Sequence, residues 1–236
     1  MGSAAIAGKV VEATPPALKG PLSVLQPCEV NALLDSAVRR TYGPGDVLIR
    51  EGDRNDDVYV LLEGRIRVVC SAEDGREIMV ALFGPGDTLG ELAAFDAAPR
   101  CATISALEDV TTLMIPGQAF LTFLRERPHL MLAVLKLLAR RVRELDRRLV
   151  EARAEDTLTR LARQLLEIGA KYGVPTPEGL RLDVPMSQEH LASWVGSSRE
   201  AISVALRTLR ERRAVVTGRM SITLIDIDEL REVAHG

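Results

Sequence analysis

The strongest pattern in the chain runs from Pro128 to Arg153, where apolar residues fall at Met131, Leu135, Leu138, Val142, Leu145, Leu149 and Ala152. Alternating steps of four and three residues make a heptad a/d seam held over three heptads. The stretch has no internal Gly or Pro and is dense in Leu, Arg, Ala and Glu, all good helix formers. A helix packed only on its own domain shows a wider apolar face than this. The narrow stripe, flanked by Arg140, Arg141, Arg143, Arg147 and Arg148, therefore predicts a partner helix, most simply a second copy of itself. With Leu135 at a, Arg141 is a g residue and Asp146 the following e residue, and in a parallel pair those two meet across the seam as an ion pair. The alternative is a core helix with a solvated basic face.

Before that helix the texture is short and β-rich. VLI, VYVLLEG, RIRVVC, EIMVALF, ATISA and VTTLMI succeed one another from Arg39 to about Ile115, separated by GPGD, DGRE, GPGD and DAAPR. Strands of that length with frequent turn signals predict an antiparallel sandwich or barrel. Gly43-Pro44-Gly45-Asp46 recurs 41 positions later as Gly84-Pro85-Gly86-Asp87. Pro then Gly fits the centre of a type II turn, whose second central residue needs positive φ. The echo predicts two stacked halves of one β-roll. Short helices are expected within 21–38 and over Gln118–Glu126, and Pro128 opens the long helix at a favoured position. Asp156 is a plausible N-cap for a further helix carrying Leu158, Leu161, Leu165 and Ile168 and closed by Gly173. Residues 174–186, with three prolines, carry a short strand pair at most. The expected division is an α+β chain: a disordered Ala/Gly/Pro-rich lead-in over 1–20, a β-roll domain over 21–127, a dimerisation helix over 128–153 and a second domain over 157–236. The hinge falls near Ala152–Asp156.

Composition narrows the class. In 236 residues, 47% are hydrophobic and 27% charged, as in an ordinary soluble protein of one large or two medium domains. No apolar run reaches the length of a membrane span, and no positively charged start precedes an apolar block, so no membrane partner and a cytoplasmic location are expected. Cys28, Cys70 and Cys101 are odd in number and widely spaced, and His129, His190 and His235 form no HxxxH or HExxH pattern. Neither a disulfide framework nor a metal, haem or iron–sulfur site is expected from them. The net charge of −3 divides unevenly: from Thr157 onward there are eleven Lys/Arg against ten Asp/Glu, and Ser197–Arg219 alone holds six Arg against Glu200 and Glu211. Such a local positive patch is a footprint for phosphate or a solvated helix face.

Two segments carry candidate chemistry. In GDTLGELAAFDAAPRCAT, Gly90-Glu91-Leu92 follows a strand and starts a helical turn, and Arg100 comes nine residues after Glu91. The turn offers backbone N–H groups to an anion. An Arg across the loop can take a phosphate oxygen bidentately, and a carboxylate accepts well from a ribose 2′-OH. The competing reading is a surface ion pair between Glu91 and Arg100. The second segment, SQEHLASWVGSSREAISVAL over Ser187–Leu206, fits a helix-turn-helix. Leu191, Val195 and Ile202 are its apolar contacts, and Ala192 is small where the helices cross. Gly196 suits the turn, and Ser198 caps a second helix beginning at Arg199. That helix presents Arg199, Glu200, Ser203 and Val204 to base edges, Arg being suited to guanine and Glu to a cytosine amine. Arg207, and Arg219 in a predicted β-hairpin wing around Thr217-Gly218-Arg219, reach phosphate. Ser187 and Gln188, at the start of the first helix, join the expected DNA contacts.

A β-roll with GEL followed by Arg, a long dimer helix and a C-terminal DNA reader resembles the cAMP receptor protein/FNR family of bacterial transcription regulators, over residues from about 21 to 230. The resemblance implies a cyclic-nucleotide-binding jelly roll and a winged helix-turn-helix. It assigns the cyclic phosphate and ribose to Gly90, Glu91, Leu92 and Arg100, with Cys101 and Ala102 beside them. The family's hydroxyl residue after the Arg is Cys101 here. The two hydroxyl residues that contact adenine from the dimer helix in cAMP-binding members are Leu145 and Asp146 here. An ionised Asp is acceptor-only and takes a guanine N1–H/N2–H fork as readily as an adenine N6–H. Ser-Arg-Glu matches the family's pattern for a G·C-rich half-site, while Val204 stands where cAMP-responsive members have a basic residue. The expectation is a homodimeric, effector-controlled regulator that binds palindromic double-stranded DNA and works with RNA polymerase. Its effector is expected to be a cyclic nucleotide, cAMP first, with cGMP or a cyclic dinucleotide as competitors. A ligand-sensing module acting on a protein partner leaves the helix-turn-helix unexplained. An enzyme has no Ser/His/Asp or Cys/His grouping to stand on, and the Gly90 turn lacks the Lys of a nucleotide-hydrolysing loop.

Overall fold

Turns placed by Gly and Pro cut the first half of the chain into short strands, and their absence after Pro128 allows one long helix. The computed structural model describes residues 20–154, 156–218 and 220–235. The predicted lead-in, apart from Gly20, lies outside them. A 3-10 turn (Gly20–Val24) and α1 (Pro27–Leu34) lead into β1 (Val38–Tyr42), β2 (Val47–Ile49), β3 (Val58–Glu63), β4 (Ile66–Ser71), β5 (Glu77–Phe83) and β6 (Thr88–Leu89). The short helix α2 (Glu91–Asp96) separates β6 from β7 (Thr103–Ala106) and β8 (Val110–Ile115). These strands form two antiparallel four-stranded sheets, ordered β1-β8-β3-β6 and β2-β7-β4-β5. The GPGD echo is two equivalent turns. Gly45 and Gly86 have φ of +86° and +93°. The amides of Asp46 and Asp87 donate to the carbonyls of Gly43 and Gly84 at 3.0 and 3.1 Å. β1 was absent from the apolar pattern because VRRTY is almost wholly exposed, and β6 because two residues make no pattern.

The helices α3 (Gly117–Arg125) and α4 (Pro128–Ala154) follow. One core of the β-roll lies between the sheets around Ile49, Leu61, Ile66 and Ile104. A second packs Phe120, Leu124, Leu130 and Val134 against the first sheet and α1. α4 therefore has two apolar faces in its first half, not the single narrow stripe expected from its heptads. Leu130 and Val134 are buried at home, while Met131, Leu135, Val142 and Leu145 are 46–61% exposed. Leu138, expected wholly on the seam, is half-buried against its own chain's core. The side chain of Leu149 lies outside the described residues.

After α4 come α5 (Thr157–Tyr172), β9 (Gly173–Thr176), β10 (Gly179–Leu182), α6 (Gln188–Val195), α7 (Arg199–Glu211), β11 (Val215–Gly218), β12 (Ser221–Leu224) and α8 (Ile227–His235). Asp156 caps α5 by accepting from the Thr159 amide at 2.8 Å. Gly173 ends it in an extended conformation, φ −74°, instead of the left-handed one usual for such a Gly. The strand pair and the wing join as one sheet, β11-β12-β10-β9. That joining and α8 were outside the sequence reading.

The second domain docks on the β-roll. Val69, Met79 and Leu82 share a core with Leu165, Ile168, Leu191 and Ile202. Arg65 bridges Glu108 and Asp183, both at 2.6 Å. On edge strand β5, the Ser193 hydroxyl accepts from the Met79 amide at 2.9 Å and donates to the Glu77 carbonyl at 2.7 Å. It satisfies two groups that an open edge leaves bare.

Candidate functional site

β6 delivers the chain to Gly90, whose φ of +76° and ψ of 4° turn it into α2. A Cβ there would lie 2.6 Å from Arg100 Nη1 and 2.8 Å from the Asp57 carbonyl, so only Gly allows the guanidinium this close. Arg100 is 5% exposed. Its Nη1 donates to the Gly90 carbonyl at 2.7 Å, its Nε and one Nη2 N–H to Asn55 Oδ1, and the other Nη2 N–H to the Asp57 carbonyl at 2.6 Å. One Nη1 N–H has no protein acceptor among the described residues.

Glu91 is 2% exposed, and its partner is not Arg100 but Arg141 from α4. Arg141 also donates to the Thr88 carbonyl at 2.8 Å and lies over the Phe83 ring at 4.8 Å. The sequence reading set Arg141 toward Asp146 of a partner helix; within this chain Arg141 meets Glu91. A buried carboxylate needs a cation close by, and the sheet presents Glu91 to that side of α4. The heptad pattern records which face of a helix is apolar and says nothing of where a long polar side chain from its flank ends up.

Gly90, Glu91, Leu92, Arg100, Cys101 and Ala102 come together with Arg141 around a cavity of about 180 Å3. A larger one of about 600 Å3 adjoins it, shares Phe83, Cys101, Ala102 and Arg141, and is lined further by Leu145, Tyr172 and Trp194. Leu145 thus faces the second cavity, while Asp146 is exposed on α4 and lines neither. Two guanidinium groups and one carboxylate make this a place to hold an anion that also carries a hydroxyl.

The reader elements sit as the sequence indicated. Ser187 caps α6 by accepting from the His190 amide, Gly196 takes φ of +67°, and Ser198 caps α7 by accepting from Ala201. Leu191, Val195 and Ile202 are buried and lock the two helices, with Ala192 small at the crossing. Arg199, Glu200, Val204 and Arg207 are exposed on one face of α7, and Ser203 is half-buried. The amide of Glu200 itself and the Ser198 hydroxyl lower the Glu200 carboxyl below its ordinary range, holding it as an ionised acceptor. Ser187, Gln188, Arg199 and the wing residues Thr217 and Gly218 line one groove of about 340 Å3. Arg219 lies outside the described residues. Among the described residues, no group of three or more His, Cys, Asp or Glu gathers as a metal site, and no helix is long and apolar enough to cross a membrane.

Comparison with known proteins follows the same division. Residues 39–127 match the cyclic nucleotide-binding domain family, and residues 159–233 match the Crp-like helix-turn-helix domain. The chain is 31% identical over 212 residues to the cyclic AMP receptor protein of Thermus thermophilus, covering 90% of this chain and 95% of that one. It is 28% identical over 211 residues to a CRP-like cAMP-activated global transcriptional regulator of Mycobacterium tuberculosis, covering 89% and 94%. Among solved structures it is similar to the c-di-GMP-responsive global regulator CLP of Xanthomonas campestris (TM-score 0.75, 20% identity, covering 85% of this chain and 100% of that one), a likeness of fold alone.

Proposed function

The chain belongs to the cAMP receptor protein/FNR family of transcription regulators, and on that premise we propose that it is a homodimer whose hold on palindromic DNA is set by a cyclic nucleotide, cAMP first, in the sensor cavity. The observation that carries this reading is the buried Arg100 guanidinium, held open by Gly90, with one N–H still unused beside Glu91. A cyclic phosphate takes that N–H in a charge-assisted bond. Glu91, fixed by Arg141, accepts from the ribose 2′-OH. The base then extends toward α4, where Leu145 offers apolar contact, and Asp146, which lines neither cavity of its own chain, joins as an acceptor only through the partner helix of the dimer. Because neither supplies a hydroxyl, cGMP and a cyclic dinucleotide are the competing effectors. The T. thermophilus and M. tuberculosis relatives carry cAMP in their names, and the Xanthomonas one is described as responding to c-di-GMP.

The exposed row Leu135, Val142 and Leu145 supports a parallel pairing of two α4 helices. Two copies of α7 then face successive major grooves about 34 Å apart, with Arg199 and Glu200 on bases, Arg207 and Arg219 on phosphate, and RNA polymerase as the cytoplasmic partner. Calorimetric titration of the purified protein with cAMP, cGMP and cyclic di-GMP tests the reading. Saturable heat from one of them, together with tighter, salt-sensitive binding to a palindromic duplex, is expected. No heat from any of the three overturns it.

A further inference from the structure

The strand register around the sensor cavity brings two of the three cysteines together. β4 and β7 pair antiparallel up to Val69 opposite Thr103. One step further the register sets Cys70 beside the bend at Cys101 and Ala102. There the Cys70 Sγ lies 3.5 Å from the Cys101 carbonyl oxygen. Residues opposite each other on antiparallel strands have Cα atoms about 4.5–5.5 Å apart, a disulfide spans about 4.4–6.8 Å, and the bend at residues 101–102 frees Cys101 from the strict alternation of faces that a strand would impose. Both residues also line the larger cavity of about 600 Å3, so both open on the same space.

We propose that Cys101 and Cys70 are a peroxide-oxidisable pair that closes into an intrachain disulfide beside the effector cavity. Their environments divide the roles. Cys101 is exposed and meets a hydroperoxide first, whereas Cys70 is half-buried. Burial pushes the Cys70 thiol up, and Glu51 and Cys101 add to the effect, so Cys70 is the slower thiol and the resolving one. In the first step the Cys101 sulfur attacks the peroxide O–O bond, giving a sulfenic acid and releasing water or an alcohol. In the second the Cys70 sulfur attacks the sulfenic sulfur, the S–S bond forms, and a second water leaves with the hydroxyl. Two thiols are oxidised by two electrons in all, and the peroxide is reduced by two.

The consequence for the sensor rests on the effector reading above. Cys101 follows Arg100 directly and lines the smaller cavity as well. A disulfide to Cys70 draws its sulfur to the other side of the loop, so oxidation removes one contact from the phosphate end and tightens the loop against β4.

The experiment treats the reduced full-length protein with hydrogen peroxide, blocks free thiols with N-ethylmaleimide and digests with trypsin. Cleavage at Arg76 and Arg100 separates the two cysteines unless they are bridged. The expected product is one linked peptide pair that dithiothreitol resolves, while Cys70→Ser leaves a Cys101 sulfenic acid that dimedone traps. In parallel, effector affinity falls about tenfold on oxidation, as expected for one lost bond to a charged group, and dithiothreitol restores it. Absence of the linked pair, or equal dimedone labelling of Cys101 in wild type and Cys70→Ser, overturns the proposal. A linked pair in a protein that binds no nucleotide even when reduced overturns the effector reading and leaves the disulfide standing.

Discussion

Arg141→Met keeps an unbranched apolar side chain and removes the cation that Glu91 faces and that lies over the Phe83 ring. The carboxylate is 2% exposed and the guanidinium 25%, so the pair is close to fully desolvated at one end and partly screened at the other. Stranding one partner of a buried ion pair costs about 3–5 kcal/mol, and the screening at Arg141 places this case near the lower bound, about 3 kcal/mol. Loss of the Arg141 bond to the Thr88 carbonyl adds about 1 kcal/mol. In a protein of this size each kcal/mol lowers the melting temperature by about 2–4 °C. Arg141→Met should therefore melt the sensor on the order of 10 °C below wild type. Glu91→Gln, which leaves a neutral acceptor, costs about 1–2 kcal/mol. Combined with Arg141→Met it no longer strands a charge, so the double variant is more stable than the sum of the single losses by about 2 kcal/mol. Urea unfolding of the four proteins, followed by circular dichroism of the β-roll, measures that coupling. Losses that add to within about 0.5 kcal/mol refute the claim that the two groups depend on each other.

Gly90→Ala should abolish effector binding and destabilise the sensor, since its Cβ meets Arg100 Nη1 at 2.6 Å in a left-handed conformation; calorimetry with unchanged affinity would show that the cradle is elsewhere. Leu135→Glu should give monomers by sedimentation equilibrium at concentrations where wild type is dimeric, and an intact dimer would place the interface off the α4 seam. Arg199→Ala should cost about 1–3 kcal/mol on the specific duplex and little on random DNA, whereas equal loss on both would mean that Arg199 holds phosphate. His190 accepts from the Ser187 amide through Nδ1, and burial first, then Arg67 of the sensor, hold its pKa below the ordinary 6.5, against Glu189 and Glu77. Its contribution to stability is therefore complete above about pH 6.5 and is lost as the pH falls through the depressed folded value. His190→Gln keeps the helix cap, so the melting temperature of wild type should fall more steeply than that of this variant between pH 7.5 and 5. Parallel curves would count against the titration.

How much of this was legible beforehand depended on the range of the interaction. The paired GPGD turns, the cap at Ser198, the left-handed Gly196 and the uninterrupted α4 were read correctly because each rests on neighbours within four or five residues. β1 and β6 escaped because an exposed or two-residue strand has no hydrophobic period of its own and exists only through β8 and β3. Gly90, Glu91 and Arg100 could be named as a group from one loop. Two of the three acceptors around Arg100 could not, since Asn55 and Asp57 stand more than forty residues away on the approach to β3.

The sequence by itself determined the two-domain plan, the turns, the caps and the apolar face of the recognition helix, because local backbone chemistry and periodic burial are written in adjacent residues. Tertiary structure alone decided that Arg141 turns inward to Glu91 instead of outward to the seam, that Leu138 is shared with its own core, and that Ser193 seals the edge of β5. Each of those outcomes is a choice among partners far apart in the chain. Desolvation settles that choice: once the sheet buries Glu91 and leaves the β5 edge open, the nearest group able to satisfy each is held there.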